Sequence, residues 1–238
     1  MKNVFLKTEW RKLIMINYEV NPKILLKYLP KGTELDSWNG KYFVSVVGFK
    51  FINTKVKGIK FPFHINFEQV NLRFYVKRKI KNEIRHGVVF IKEIIDKPIV
   101  KFIARSLYKE NYVTMPMQHH WNVSNTGLDI SYRWKLAGKW NDIAINASTH
   151  LVASKEGSEE RFIAEHYWGY IQVNQKKSYE FKVEHPEWKM YSLNNYKVNI
   201  DFNAVYGTDF KHLQKKQPSS VFLVEGSEVL LGDKKRIT

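Results

Sequence analysis

FHINFEQVNLRFYVKR (residues 63–78) and RHGVVFIKEIIDKPIVKFIARSLYKENYVTMPM (residues 85–117) are the two runs from which the fold is read. From Asn66 to Val76 the first run puts Glu68, Val70, Leu72, Phe74 and Val76 on one side of an extended chain. Gln69, Asn71, Arg73 and Tyr75 fall on the other, the period-two pattern of a β-strand. One side is a core face. The other carries two amides, a guanidinium and a phenol, and is either the wet outside of a sheet or the lining of a polar cavity. In the second run, Val88 to Ile95 is an apolar strand interrupted only by Lys92 and Glu93. Asp96-Lys97-Pro98 then changes the period to a helical one, with Ile99, Phe102, Ile103 and Leu107 on a shared side, and Tyr108 to Tyr112 turns the chain back to strand.

Working outward, Leu13 to Val20 is a first strand, and Asn21-Pro22 starts a short helix with an amide cap and a proline at its first position. Asn39-Gly40 is a hairpin turn leading into a strand from Tyr42 to Ile52. From Val113 to Leu151 strands follow closely, with turns at Asn125-Thr126-Gly127 and Leu136-Ala137-Gly138, which predicts a meander. A last turn is expected at Gly226, between Val221 to Val224 and Glu228 to Leu231. Many strands with short helices predict a β-rich α+β fold, a barrel or curled sheet and not a βαβ repeat. With 238 residues and no Pro/Gly/Ser-rich linker, the expected organisation is one domain over residues 1–232 and a basic, frayed tail over 233–238.

The net charge is +16, but 31 lysines and 8 arginines are spread over almost every segment. With no helix-turn-helix, zinc-finger or RNP-type signature, this is a solvated lysine-rich surface, and any nucleic-acid binding is expected to be weak and non-specific. Absence of cysteine excludes disulfides, thiolate metal sites and a cysteine nucleophile. The N-terminal run has charged residues among its apolar ones, so a cytoplasmic protein is expected, with no membrane contact. No HExxH, phosphate-binding glycine loop or G-x-S-x-G elbow is present, and His119 and His120, adjacent in sequence, point to opposite faces of a strand. No metal and no cofactor are therefore expected. Histidine titrates near neutrality, which makes His166 a general-base candidate, but Glu165 beside it in sequence faces away on an extended chain, which favours a structural role.

Over nearly the whole chain, the segments TEWRKLIMINYEVNPKILLKYLPKGTELDSWNGKYFVSVVGF, FEQVNLRFYV, GVVFIKEI, LYKENYVTMPM, EHYWGY, EHPEW and FLVEGSEV resemble the YqjF-like family of uncharacterised bacterial proteins. That family falls in the acetoacetate decarboxylase-like superfamily. The resemblance implies a single-domain, decorated antiparallel β-barrel with two or more short helices. It also implies an internal cavity for small carbonyl or carboxylate compounds, lined by Asn71 and Arg73 or by Glu68. It places Lys109 at the decarboxylases' Schiff-base lysine, with Glu110 where they carry a second lysine and Glu19 where they carry a substrate-binding arginine. Glu68 matches their active-site glutamate. A neighbouring anion raises a lysine pKa, opposing the free amine that Schiff-base chemistry needs. The expectation is a small-molecule-binding protein, enzymatic or not, that is no acetoacetate decarboxylase. Its expected site comprises Glu68, Asn71, Arg73, Tyr108, Lys109, Tyr112, His166, Tyr167 and Trp168, with Arg73 anchoring a carboxylate. The rival is a non-catalytic structural or interaction protein whose polar strand residues satisfy each other. Ligand, reaction and any homo-oligomer are left open by the sequence.

Overall fold

The computed structural model describes residues 4–98 and 111–237. Its strands are β1 (Val4–Glu19), β2 (Glu34–Leu35), β3 (Phe43–Val56), β4 (Phe67–Ile80), β5 (Glu83–Ile95), β6 (Tyr112–Thr114) and β7 (Met117–Val123). They continue with β8 (Leu128–Leu136), β9 (Lys139–Ala153), β10 (Trp168–Asn174), β11 (Lys177–Glu184), β12 (Lys189–Asn199), β13 (Ser220–Gly232) and β14 (Lys235–Arg236). Among the described residues, two short α-helices, α1 (Glu159–Ala164) and α2 (Phe202–Tyr206), and three 3-10 segments decorate them.

Seven of the strands close on themselves. β13 pairs β1, β1 pairs β3, β3 pairs β4, β4 pairs β5, β5 pairs β10 and β10 pairs β11. β11 then returns to β13 through Val183↔Leu231 and Glu184↔Leu230. The β5–β10 pairing is parallel, as is β5–β6, so the antiparallel expectation holds for the other pairings. Closure leaves the long strands no open edge in the ring.

The inner face of the ring is an aromatic-rich cluster that includes Leu13, Met15, Val47, Phe49, Phe67, Tyr75 and Phe181, with Ile163 and Ala164 of α1 packed against it. The outer face is buried too. The β7–β8–β9 meander, extended by β12, covers it, so that Val44, Val46, Val70, Leu72 and Phe74 share a second cluster with Ile130, Tyr132, Trp134 and Ile143. The layers approach most closely at Gly48, where an added Cβ would lie 2.8 Å from Ile143 and 3.0 Å from Tyr132. β4 therefore has no wet face, and the choice posed by its alternating pattern resolves to two buried faces with different company.

The turns follow their sequence chemistry. Asn39 and Gly40 both have positive φ (49° and 77°) inside the Trp38↔Lys41 bridge, and Ala137-Gly138 repeats the geometry (46° and 82°). Asn21 caps the 3-10 segment Pro22–Ile24 by accepting from the Lys23 amide. Two expectations are corrected. Gly226 does not separate two strands: it lies within continuous β13, at φ 80°, opposite Arg11. A side chain there would meet the Trp10 carbonyl, and Lys12 beside it on β1 also has positive φ, so β1 and β13 bend together. The basic tail is not frayed over its described length. β14 pairs β11, and the Ile237 amide donates to the Ser178 carbonyl at 3.0 Å. The helical reading after Pro98, with Ile99, Phe102, Ile103 and Leu107, lies outside the described residues.

Candidate functional site

The ring encloses a cavity of about 260 Å³. Its apolar lining comes from every part of the ring, with Trp10 from β1, Phe49 and Phe51 from β3, Phe67 from β4, Phe181 from β11 and Trp188 before β12. These rings pack on one another: Phe51 stacks on Phe67 at 4.4 Å between centroids, and Trp10 lies 5.1 Å from Phe49 and 6.2 Å from Trp188. Against this apolar lining, β4 and β5 place Gln69, Asn71, Arg73 and Glu93, and the chain leaving α1 places His166.

Because β4 alternates, Gln69, Asn71 and Arg73 all project into the ring. Asn71 is opposite Glu93 in the β4–β5 register, and Gln69 donates to Glu93 at 2.9 Å. Arg73 is 7% exposed. One Nη2 hydrogen bond reaches the Ile163 carbonyl at 3.0 Å, and the guanidinium lies over the Tyr75 ring at 5.6 Å. Among the described residues no carboxylate forms an ion pair with it, and its Nε has no hydrogen-bond partner. The Gln69 and Asn71 side-chain oxygens are likewise buried without donors. A buried polar group left unpaired costs about 1–3 kcal/mol, more for a charged one. Among the described residues, the site thus carries an incompletely paired cation and two acceptors without donors beside the cavity.

His166 is held between Tyr75, at 4.8 Å between ring centroids, and Phe162, at 5.2 Å. Burial pushes its imidazole down to about 4, so it is neutral near pH 7. Glu165 does not orient it: that carboxylate accepts from the Tyr167 hydroxyl and from the Trp188 amide. The acid near His166 is instead Asp36, whose Oδ2 is 3.9 Å from Nε2, too long for a hydrogen bond, and which also contacts His86 Nδ1 at 2.5 Å. Burial opposes ionisation of Asp36, but His166 and His86 outweigh it and hold the carboxyl well below the usual carboxylate range.

The structure brings together Asn71, Arg73, Tyr112 and His166 of the expected set. It places three others elsewhere. Glu68 is on the outer face of β4, where it pairs with His119 Nδ1 at 2.5 Å, because its even-numbered position turns it away from Arg73. Tyr167 spends its hydroxyl on Glu165 outside the lining, and Trp168 packs on Arg85, 4.1 Å from the guanidinium carbon to the ring centroid. Glu19 is also outside the lining, with 45% of its side chain exposed. Tyr108, Lys109 and Glu110 lie outside the described residues. Sequence reading missed Glu93 and Gln69. Gln69 shares the period of Asn71 and Arg73, and Glu93 is a charge inside an apolar strand, so both carried a legible signal. It also missed Asp36 and His86, which no local spacing connects to His166.

The description "Uncharacterized conserved protein", designated DUF2071, matches residues 7–228, nearly the full length. The chain belongs to the DUF2071 family. Within curated proteins this DUF2071 chain is 24% identical over 205 residues to the uncharacterized protein YqjF of Bacillus subtilis (strain 168), covering 84% of this chain and 79% of the relative. Among solved structures it is similar to the enduracididine biosynthesis enzyme MppR complexed with pyruvate, at TM-score 0.69 and 11% identity, covering 98% of this chain and 90% of that one. The acetoacetate decarboxylase-like enzyme from Sphingomonas wittichii RW1 gives 0.66 and 10% identity, with coverages of 98% and 92%. The acetoacetate decarboxylase of Legionella pneumophila gives 0.64 and 11%, with coverages of 98% and 87%. At these identities the DUF2071 chain shares the decarboxylase-like fold with them. Among its described residues, no helix is long and apolar enough to cross a membrane.

Proposed function

We propose that this DUF2071 protein is a cytoplasmic binder of a small carbonyl or carboxylate compound, held inside the ring with its carboxylate on Arg73. The observation that carries the reading is the buried Arg73 guanidinium, without a carboxylate partner among the described residues, beside an open cavity. A buried cation is stable when something anionic completes it, and guanidinium matches a carboxylate in a two-point contact. Asn71 and Gln69 flank it, and an N–H or O–H of the ligand satisfies their free oxygens. A carboxylate does not, and where the ligand is a 2-oxo acid with no donor of its own, water takes that place. The aromatic walls take the ligand's apolar part. The volume suits a metabolite, since drug-sized ligands occupy roughly 300–1,000 Å³. One structural relative is complexed with pyruvate, an acid with a carbonyl, which agrees with this ligand class.

A purely structural role for the polar residues fits less well, because Arg73, Asn71 and Gln69 do not satisfy one another fully. Native mass spectrometry of untagged protein, as purified and after addition of excess pyruvate or phenylpyruvate, tests the proposal. A non-covalent acidic adduct released by denaturation supports it. The bare chain mass under all of these conditions refutes it.

A further inference from the structure

Asp36, His86 and His166 come from three separate segments and meet in the wall of the ring. Asp36 follows β2, His86 sits on β5 and His166 follows α1. Their ligating atoms, one from each residue, all lie within 4.8 Å of one another. The cluster spans the wall: His86 has half of its side chain exposed, Asp36 is 4% exposed, and His166 lines the cavity. We propose that these three side chains form a binding site for a divalent first-row transition ion.

The donor set suits such an ion, since two imidazoles and a carboxylate are a recurrent three-residue ligand set that leaves positions open for water or substrate. The carboxylate is positioned for it. The Asp36 amide donates to the Tyr75 carbonyl at 3.0 Å, which ties the loop to β4. Asp36 Oδ1 takes the Ser37 amide at 3.0 Å and has the Lys77 ammonium at 3.7 Å, which leaves Oδ2 turned to both histidines. His166 is the second, independent observation. It is 7% exposed, and among the described residues neither of its ring nitrogens has a hydrogen-bond partner. Asp36 Oδ2 lies 3.9 Å from Nε2, beyond hydrogen-bond reach, and a metal between the two supplies the missing contact.

The geometry needs an adjustment of up to about 1.5 Å, because the three ligating atoms are spread over 4.8 Å. Ligands about 2.0–2.1 Å from a tetrahedral ion sit about 3.3 Å apart. The Asp36–His166 separation of 3.9 Å must therefore shorten slightly and the Asp36–His86 separation of 2.5 Å must lengthen. The half-exposed His86 ring can make that move. Lys77 and Arg73 are cations facing the cluster and oppose binding. The ion's remaining positions are open to water or to a ligand that the cavity holds.

The test uses untagged protein stripped with a chelator and titrated with Co(II), followed by visible d–d absorption, with Zn(II) binding measured by calorimetry. Wild-type protein should take one equivalent. His86→Ala, a change at a half-exposed residue, should weaken binding by more than the roughly 10- to 100-fold that loss of an outer-shell contact costs. His166→Gln should do the same. Arg73→Met should still take one equivalent, which separates this site from carboxylate binding. Absence of stoichiometric Co(II) and Zn(II) binding in the wild type, or wild-type affinity in His86→Ala, overturns the proposal, and the latter holds even if His166→Gln fails to fold.

Discussion

Replacing Arg73 by methionine should separate binding from folding. The guanidinium is 7% exposed and uses one described hydrogen bond, to the Ile163 carbonyl at 3.0 Å. Methionine fills much of the same volume with an unbranched apolar chain. Losing the bond to Ile163 costs about 1 kcal/mol, but removing an incompletely paired buried charge relieves a desolvation penalty of similar or greater size. Stability should therefore stay level or rise, read as an unchanged or higher urea midpoint with an unchanged slope. Binding behaves differently. A charge-assisted contact to a carboxylate is worth about 1.5–3 kcal/mol, so affinity should fall roughly 10- to 150-fold at 1.4 kcal/mol per tenfold. Calorimetric titration of both proteins with phenylpyruvate reads the difference. Equal affinities would remove Arg73 from the site, and a large drop in stability would make it a structural arginine.

Three further outcomes are expected. Gly226→Ala should lose about 2–5 kcal/mol in urea unfolding, because a left-handed backbone costs roughly 1–2 kcal/mol outside glycine and the new Cβ would lie 2.0 Å from the Trp10 carbonyl; a loss under about 1 kcal/mol would show that the β1–β13 bend is soft. Burial works against the Glu68 carboxylate, but its hydrogen bond with His119 prevails and holds it below the ordinary value of 4.5, so its contribution is present above that pH and lost as pH falls through the lower folded value. His119→Ala should accordingly unfold at higher pH than the wild type in an acid titration followed by circular dichroism, and coincident curves would contradict the pairing. Incubation with acetoacetate and borohydride should leave the chain mass unchanged, because the sequence resemblance places Glu110, an anion, at the position of the decarboxylases' second lysine, and an anion beside Lys109 favours its ammonium form; an adduct trapped on Lys109 would refute this.

What could be read from the sequence was what depends on neighbouring residues. Asn39-Gly40 and Ala137-Gly138 demanded positive φ and received it, and the alternation of β4 correctly grouped Gln69, Asn71 and Arg73 on one face. What depends on the other layer was hidden. Nothing local in β4 says that β7–β9 cover its outer face, so Glu68 could be assigned to a cavity when its partner is His119. Gly226 looked like a hairpin because glycine marks both turns and bent strands, and only the Trp10 carbonyl opposite it distinguishes them. The run after Gly232 is charged, but Ile237 and β14 find backbone partners on β11 that composition does not reveal. Asp36, His86 and His166 are brought together by the pairing of β2 with β4, β4 with β5 and β5 with β10, and no spacing in the chain encodes that.

A crystal structure of the wild-type protein soaked with millimolar phenylpyruvate tests the central claim most directly. The account predicts the carboxylate about 2.7–2.9 Å from the Arg73 guanidinium nitrogens, with the aromatic ring among Trp10, Phe51 and Phe67. Phenylpyruvate bound only on the protein surface, or a cavity holding nothing but solvent at a concentration that saturates binding in solution, would contradict it.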